Sequence, residues 1–351
     1  MTVSIETTER FDFELPPSLE AAEPPEARGL ARDDVRMLVT YTASGKLVSS
    51  SFRCLTSFLE PGDLVVINTS GTIPAAIDAV TDDGTALVVH LSTQIDETRW
   101  VVEPRQMNGR SAERWTGPLP SGRLTLRGGA TMTLEEPYEG RARLWVAKLD
   151  LGQPTLSWLE THGRPIRYGY VDRQWPIETY QNVYATERGS AEMPSAGRPF
   201  TSSTITRLVA HGVDVAPLIL HTGVASLEAD EVPYAERVKV SASTAERVNQ
   251  ARRGDHRVIA VGTTVVRALE TSVGVDDLAQ PYDGWTDLVV TPEHQLRVVD
   301  GMLTGWHEPV SSHLLMLEAL IGRDLLLDSY HAALVQGYRW HEFGDVHLIL
   351  P

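Results

Sequence analysis

The chain has 351 residues, of which 42% are hydrophobic and 22% charged, an ordinary composition for a folded protein that excludes disorder; the length predicts two domains with ample core. Lys and Arg number 31 against 47 Asp and Glu, and the resulting formal charge of −16 excludes whole-body attraction to a polyanion, so a nucleic-acid partner needs a local basic patch. One cysteine excludes an intramolecular disulfide and a multi-cysteine metal centre, no run of about 18 apolar residues offers a membrane span, and "MTVSIETTERFDFELP" lacks signal-peptide character, so a cytoplasmic protein is expected.

In chain order, "ELPPSLEAAEPPEARG" reads as a Pro-rich extended arm and "RMLVTYTASGKLVSSSF" as a hairpin turning at Ser44-Gly45. Cys54, in "SSFRCLTSFL", is expected to be a buried small hydrophobe. "LEPGDLVVINTSGTIPAAIDAV" gives a turn at Pro61-Gly62, a buried strand Leu64 to Ile67 and a polar loop. Residues 76 to 150 then change character. "TALVVHLST", "RWVVEPRQ", "RLTLRGGATMTLEEP" and "ARLWVAKL" are short strands separated by Gly, Asp and Pro, which predicts a small antiparallel β-barrel. The arginines of "EPRQMNGRSAERW" and "SGRLTLRGG" read as a solvated sheet face. After "TLSWLETHGRPI" strands and helices alternate again: the helix "STITRLVAHGV", the strand "DVAPLILHTG", the capped helix "SASTAERVNQARRGDH", the helices "SSHLLMLEALIG" and "LLLDSYHAALVQGY", and the closing strand "DVHLILP". The expected fold is a mixed α/β main domain, residues 1–75 and 151–351, interrupted by a β-barrel domain at 76–150.

The stretch "RVIAVGTTVVRALETSV" carries the most chemistry. Val258 to Val261 form an uninterrupted β-branched run suited to a strand buried on both faces, and Val265, Val266, Leu269 and Val273 then fall near helical spacing. Between them Gly262 lets backbone approach a ligand closely, and Thr263 or Thr264 can cap the helix, whose free N–H groups suit a carboxylate or another anion. On the residues alone, Arg267 and Glu270 read as an exposed i,i+3 pair. Other polar loops at strand ends are "INTSGTIPAA" with Asn68 and Thr69, "YQNVYATERGSAEMPSAGRPF", "LHTGVASLEADE" with His221, and "LTGWHEPVSSHLLML", where Trp306, His307 and Glu308 precede a helix marked by Pro309 and Ser311. Loops of this kind at strand ends predict a shared cleft. Asn68 and Thr69 also suit a β-turn, and Trp306 a core position. His307 and His313, six apart with Pro309 between, have poor spacing for a metal on a helix, so no metal is assigned.

The order of these loops resembles the S-adenosylmethionine:tRNA ribosyltransferase-isomerases, the QueA family of queuosine biosynthesis, from "FDFELP" to "YRWHEFGDVHLIL". "AVGTTVVRALE" is similar to the family's A-V-G-T-T-S-x-R-x-L-E, "EPGDLVVINTSGTIPA" to P-G-D-L-L-V-x-N-x-T-x-V-x-P-A, "YQNVYA" to Y-Q-T-V-Y-A and "FGDVHLI" to Y-G-D-A-M-x-I. Four segments depart. "TGWHEPVSSHLLML" keeps His307, Pro309 and Ser311 of T-N-F-H-L-P-x-S-x-L-L-M-L but has Gly305 and Trp306 for Asn-Phe, and Arg198 and Pro199 replace Leu-His before Phe200. "RPIRYGYVDRQWP" replaces P-P-Y-I, and Glu228, Asp230 and Glu231 follow His221 where the family has G-T-F.

The resemblance implies transfer of the ribosyl part of S-adenosylmethionine to an aminomethyl-deazaguanine in tRNA, its isomerisation, and release of adenine and methionine, without a metal. It implies His221 and His307 as catalytic groups. For the cofactor it implies Asn68, Thr69, Gly262, Thr263, Thr264 and Arg267, with Tyr184 or Trp306 covering adenine. The altered loops and the acidic charge keep open the same chemistry on a small-molecule acceptor or on the cofactor alone, and a non-catalytic S-adenosylmethionine-binding protein. A monomer with no membrane partner is expected.

Overall fold

A computed structural model describes residues 11, 13–108, 111–115, 122–140, 143–224, 234–309 and 311–351. After an arm with two short 3-10 turns come the hairpin strands β1 (Arg36–Tyr41) and β2 (Leu47–Ser51), then β3 (Leu64–Asn68) and the short β4 (Ser70–Thr72). Seven strands follow, with no α-helix among the described residues: β5 (Ala76–Val80), β6 (Ala86–Gln94), β7 (Arg99–Asn108), β8 (Ser111–Arg114), β9 (Arg123–Leu126), β10 (Thr131–Pro137) and β11 (Trp145–Asp150). The chain then runs through α1 (Thr155–His162), β12 (Glu187–Ser190), α2 (Ser202–Ala210), β13 (Asp214–His221), β14 (Glu236–Val240) and α3 (Ala242–Arg253). It ends with β15 (Val258–Val261), α4 (Thr263–Thr271), β16 (Tyr282–Thr286), β17 (Gly301–Gly305), α5 (Ser312–Ile321), α6 (Arg323–Val335) and β18 (Val346–Leu350).

Two sheets carry the molecule, and together they match the expected mixed α/β fold with an antiparallel barrel. The larger has the order β16-β14-β13-β3-β15-β17-β18-β1-β2, with β13, β3, β15 and β17 mutually parallel at its centre. All five residues of β3 and all four of β15 are buried, which is why both read as unbroken apolar runs: helices cover both faces of a parallel core. In the other sheet β5, β6, β7, β11, β10 and β9 close a six-stranded antiparallel barrel, and β8 extends it beyond β7. Alternation does the work there, as in β9, whose Leu124 and Leu126 point inward while Arg123 and Thr125 face water. Trp100, Met132, Leu144 and Ala147 fill the interior.

Local rules explain the helix ends. Thr201, Ser241 and Ser311 each accept a hydrogen bond from a backbone N–H in the first turn of α2, α3 and α5. The arm is anchored by aromatic packing, Phe13 lying 5.3 Å from Tyr330 of α6. Three local expectations are corrected. The polar loop after β3 is itself buried strand, β4, paired in parallel with β12, because Gln181 supplies hydrogen bonds to both backbone groups of Thr72. Cys54 is exposed, since the 3-10 turn Phe52–Phe58 turns Phe52 and Leu55 inward instead. Arg267 and Glu270 are both buried: Glu270 accepts from the backbone N–H groups of Arg297 and Val298, and Arg267 pairs elsewhere.

Candidate active site

The four parallel central strands end on one edge, where the loops after β3, β13, β15 and β17 come together. In open α/β sheets ligands bind outside the carboxyl ends of such strands. A cavity of about 240 Å³ lies there, lined by Thr222 and Gly223 after β13, Gly262 to Thr264 after β15, and Thr304, Gly305 and His307 from β17 onward. Ser92 and Thr93 of the barrel strand β6 complete the wall, and Ser92 Oγ accepts a hydrogen bond from the N–H of Val224 at 3.0 Å.

Gly262 is the pivot of this site. Its φ of 94° and ψ of 156° belong to a region open to glycine alone, and a Cβ here would press on Ala196 at 3.4 Å. Neither threonine caps α4; Gly262 occupies that position and no side chain closes the helix end, so the positive end of α4 opens on the cavity. Thr264 Oγ1 instead accepts a long 3.4 Å contact from Asn68 Nδ2. Arg267, one helical turn on, forms an ion pair with Glu236 and donates to the carbonyl of Leu288 at 2.9 Å. Glu236 also accepts from the N–H of Gly223 at 2.9 Å, so this pair ties β14, α4 and the loop after β13 into one wall.

The facing wall holds two imidazoles. His307 and His313 stack with ring centroids 4.6 Å apart. His307 Nε2 bonds Thr304 Oγ1 at 2.9 Å, its backbone N–H donates to the Tyr330 hydroxyl, and its carbonyl accepts from the Trp340 indole at 3.0 Å. His313 Nδ1 bonds Ser311 Oγ, the cap of α5, at 2.9 Å. Burial holds His307 well below the usual imidazole range, reinforced by the neighbouring histidines, and takes His313 down to about 4. Both rings are therefore neutral near pH 7.

Of the residues singled out from sequence, Gly262, Thr263, Thr264, Arg267 and His307 line this cavity. Five others do not line it. Asn68 is a clamp, accepting from the N–H groups of Ser70 and Leu220 and donating to the carbonyl of Leu220, which uses its amide on backbone. Thr69 is tied to the carbonyl of Leu218 through both its N–H and its hydroxyl. His221 ends β13 on the far face, with Nδ1 bonded to Ser70 Oγ at 2.7 Å and its ring against Gly189, where no Cβ would fit. Tyr184 packs edge-on against Phe200 and over Gly197, in the core beneath. Trp306 is 2% exposed and stacked on His347 at 4.8 Å; it reaches only the wall of a second cavity. Glu228, Asp230 and Glu231 lie outside the described residues. Arg198, beside the missing family histidine, is a buried tie to Glu26 and the carbonyl of Thr179.

Sequence reasoning missed Glu236, Ser92, Thr93 and the role of His313. Glu236 sits in a plain alternating strand, and Ser92 and Thr93 in a barrel strand distant along the chain; neither carries a local motif. His313 was visible beside His307, but only folding stacks the two. The described side chains whose spacing suits a cation are Glu20, Glu308 and His341, with ligand atoms within 4.8 Å of one another, and there His341 lies within ion-pair distance of both glutamates.

Comparison with known proteins agrees with this architecture. The family described as "Queuosine biosynthesis protein" matches residues 8–349. The S-adenosylmethionine:tRNA ribosyltransferase-isomerase of Symbiobacterium thermophilum is 35% identical over 97% of this chain and 98% of its own. That of Thermotoga maritima is 32% identical over 97% and 98%. A crystal structure of S-adenosylmethionine tRNA ribosyltransferase from Thermotoga maritima superposes with a TM-score of 0.54 at 27% identity, covering 97% of this chain and 99% of that one. The match runs through both sheets and every loop of the cavity, and on it the chain belongs to the queuosine biosynthesis protein family.

Proposed function

We propose that the protein is an S-adenosylmethionine:tRNA ribosyltransferase-isomerase, moving the ribosyl part of S-adenosylmethionine onto an aminomethyl-deazaguanine in tRNA, isomerising it, and releasing adenine and methionine. The observation that carries this reading is the cavity at the carboxyl edge, with an uncapped helix end on one wall and two neutral imidazoles on the other. The methionine carboxylate suits the N–H groups of Thr263 and Thr264, where the helix end favours negative charge. Glu236 and Arg267 then present both signs to the amino-acid end. A sulfonium acidifies the adjacent C5′ protons, and neutral His307 holds a lone pair that can take one. His221, Asn68 and Thr69 support the walls rather than touch the cofactor. Nothing in these steps calls on a metal ion. The names of the relatives support the same substrate pair.

The net charge of −16 favours a second reading, the same cofactor chemistry on an acceptor other than tRNA. One experiment separates them: incubation with S-adenosylmethionine, with and without tRNA bearing the aminomethyl base, followed by mass spectrometry of adenine and methionine. Release that depends on the tRNA, with matching mass gain on it, supports the first reading. TRNA-independent release supports the second, and binding without release defeats both.

A further inference from the structure

Glu20 of the amino-terminal arm, Glu308 after β17 and His341 before β18 come from three separate segments of the chain, and Trp340 brings them together. Its backbone N–H donates to the carbonyl of Leu19 at 2.9 Å and its carbonyl accepts from the N–H of Ala21 at 3.3 Å, which fixes Glu20 between them. Its indole donates to the carbonyl of His307 at 3.0 Å, which fixes the residue before Glu308, and His341 follows it directly. Trp340 is fully buried, so core packing and backbone pairing set this frame, not the charged groups themselves.

Within the frame, His341 Nε2 stands 3.5 Å from an oxygen of Glu20 and 3.8 Å from one of Glu308, at ion-pair distance from both. The three ligand atoms lie within 4.8 Å of one another. The imidazole side chain is only 7% exposed, its ring is held by stacking on Tyr170 at 3.8 Å, and Nε2 makes no hydrogen bond in the protein. One ring nitrogen carries at most one proton, so even a charged imidazole offsets only one of the two carboxylates. Among the described residues no Lys or Arg reaches either glutamate to offset the other. A divalent cation on a neutral imidazole and two carboxylates brings the group to zero net charge. Ligand atoms about 2.0–2.2 Å from a tetrahedral ion stand roughly 3.3–3.6 Å apart, within a few tenths of an ångström of the spacing here. Magnesium and calcium favour oxygen ligands alone, whereas one imidazole with two carboxylates suits zinc.

We propose that Glu20, Glu308 and His341 bind a divalent transition-metal cation, zinc by preference, which ties the amino-terminal arm to the loop after β17. Three protein ligands leave a fourth position open. Glu308 and His341 also line a second cavity, of about 220 Å³, which has Tyr170 and Glu342 on its wall and adjoins the first through Gly305 and His307. Water, or a donor atom of a molecule held in that cavity, can fill the open position. The cation takes no step in the chemistry assigned to His307, and it binds without S-adenosylmethionine or tRNA.

Calorimetric titration of the full chain, first stripped with a chelator, with zinc chloride and separately with magnesium chloride tests the assignment. One zinc ion per chain is expected to bind with a Kd below about 10 µM, and magnesium at least about 100-fold more weakly. Saturating zinc should raise Tm by at least about 2 °C, and EDTA should reverse the rise. His341→Asn suits the test because Asn tolerates the left-handed backbone that His341 holds at a φ of 71°. That variant and Glu308→Gln should each weaken zinc binding by at least about 100-fold, since even residues behind a metal's ligands cost 10–100-fold when lost. Glu308 is half-exposed, so Glu308→Gln carries the test if His341→Asn fails to fold. A zinc Kd above about 10 µM, magnesium binding as tightly, or no rise in Tm overturns the proposal. Full zinc affinity in Glu308→Gln overturns it too, by placing the ion on other histidines.

Discussion

At the scale of single residues, charge matching separates groups that hold the site from groups that act in it. Arg267 reaches the first cavity, yet its guanidinium is matched by Glu236, so removing it leaves a partly buried carboxylate without its cation. Arg267→Ala is expected to cost about 3–5 kcal/mol in chemical denaturation, and Arg267→Met with Glu236→Leu to recover most of that. Equal stability for the single and double variants would contradict the pairing. His307 is a different case, because its ring faces both cavities while its backbone is braced by Tyr330 and Trp340. His307→Gln retains a side chain able to bond Thr304, so folding should survive while adenine release falls by about 10²-fold or more. Release at the original rate would remove His307 from the chemistry. The Gly-Thr-Thr turn was legible in sequence because an apolar strand, a glycine and a helix follow each other locally. His221 does not line the first cavity, because strand alternation decides its face, and no local signal says which face the cleft will occupy.

Elements set the distances between these groups. Strands β3, β13, β15 and β17 run parallel, so their carboxyl ends collect loops separated by more than two hundred positions in the chain. Helix α5 presents His313 to His307, and its start is fixed by Ser311, which accepts from the N–H of His313 and bonds its ring. Ser311→Ala should cost about 1 kcal/mol as a lost cap and lower turnover by freeing the His313 ring. A thermal unfolding curve superimposable on that of the unaltered protein would contradict the capping role. Helix α1 and strands β5, β8, β12, β14, β16 and β17 were not assigned from sequence, whereas the hairpin, β3, β13, β15, β18, helices α2 to α6 and the other barrel strands were visible from periodicity and caps. Strand β4 was not, because three small polar residues give no apolar pattern, and its pairing with β12 depends on Gln181 from elsewhere in the chain.

Across the whole molecule, buried histidines govern the response to acid. His90 and His347 are driven down to about 3 and His313 to about 4, in each case chiefly by burial. Their folded values lie below the unfolded value near 6.5, so the unfolded chain binds more protons and stability falls as pH drops from 6.5 toward 4. By pH 4.5 each has given up about 2–3 kcal/mol at the usual conversion of one pKa unit. Glu342, raised to about 7, has the opposite sign: it contributes stability below its unfolded value that is lost as pH rises through 7. With His307, His221 and His341 also lowered chiefly by burial, the histidines outnumber the raised carboxyls of Glu342, Asp300 and Asp345, which predicts a Tm of the metal-free protein that declines between pH 6.5 and 4.5. A flat or rising Tm over that window, followed by scanning calorimetry, would refute the assignment of these rings as neutral and buried.

The sequence by itself determined the mixed α/β body, the antiparallel barrel, the strand-turn-helix at Gly262 and the family resemblance, because each is written in neighbouring residues through periodicity, glycine or a cap. Tertiary structure alone decided that Asn68 and Thr69 clamp backbone, that Trp306 is core, that Arg267 answers to Glu236, and that Tyr170 and Glu342 face a second cavity. Those outcomes depend on which side chains meet across parallel strands and inserted barrel, and contacts between residues far apart in the chain leave no local pattern to read.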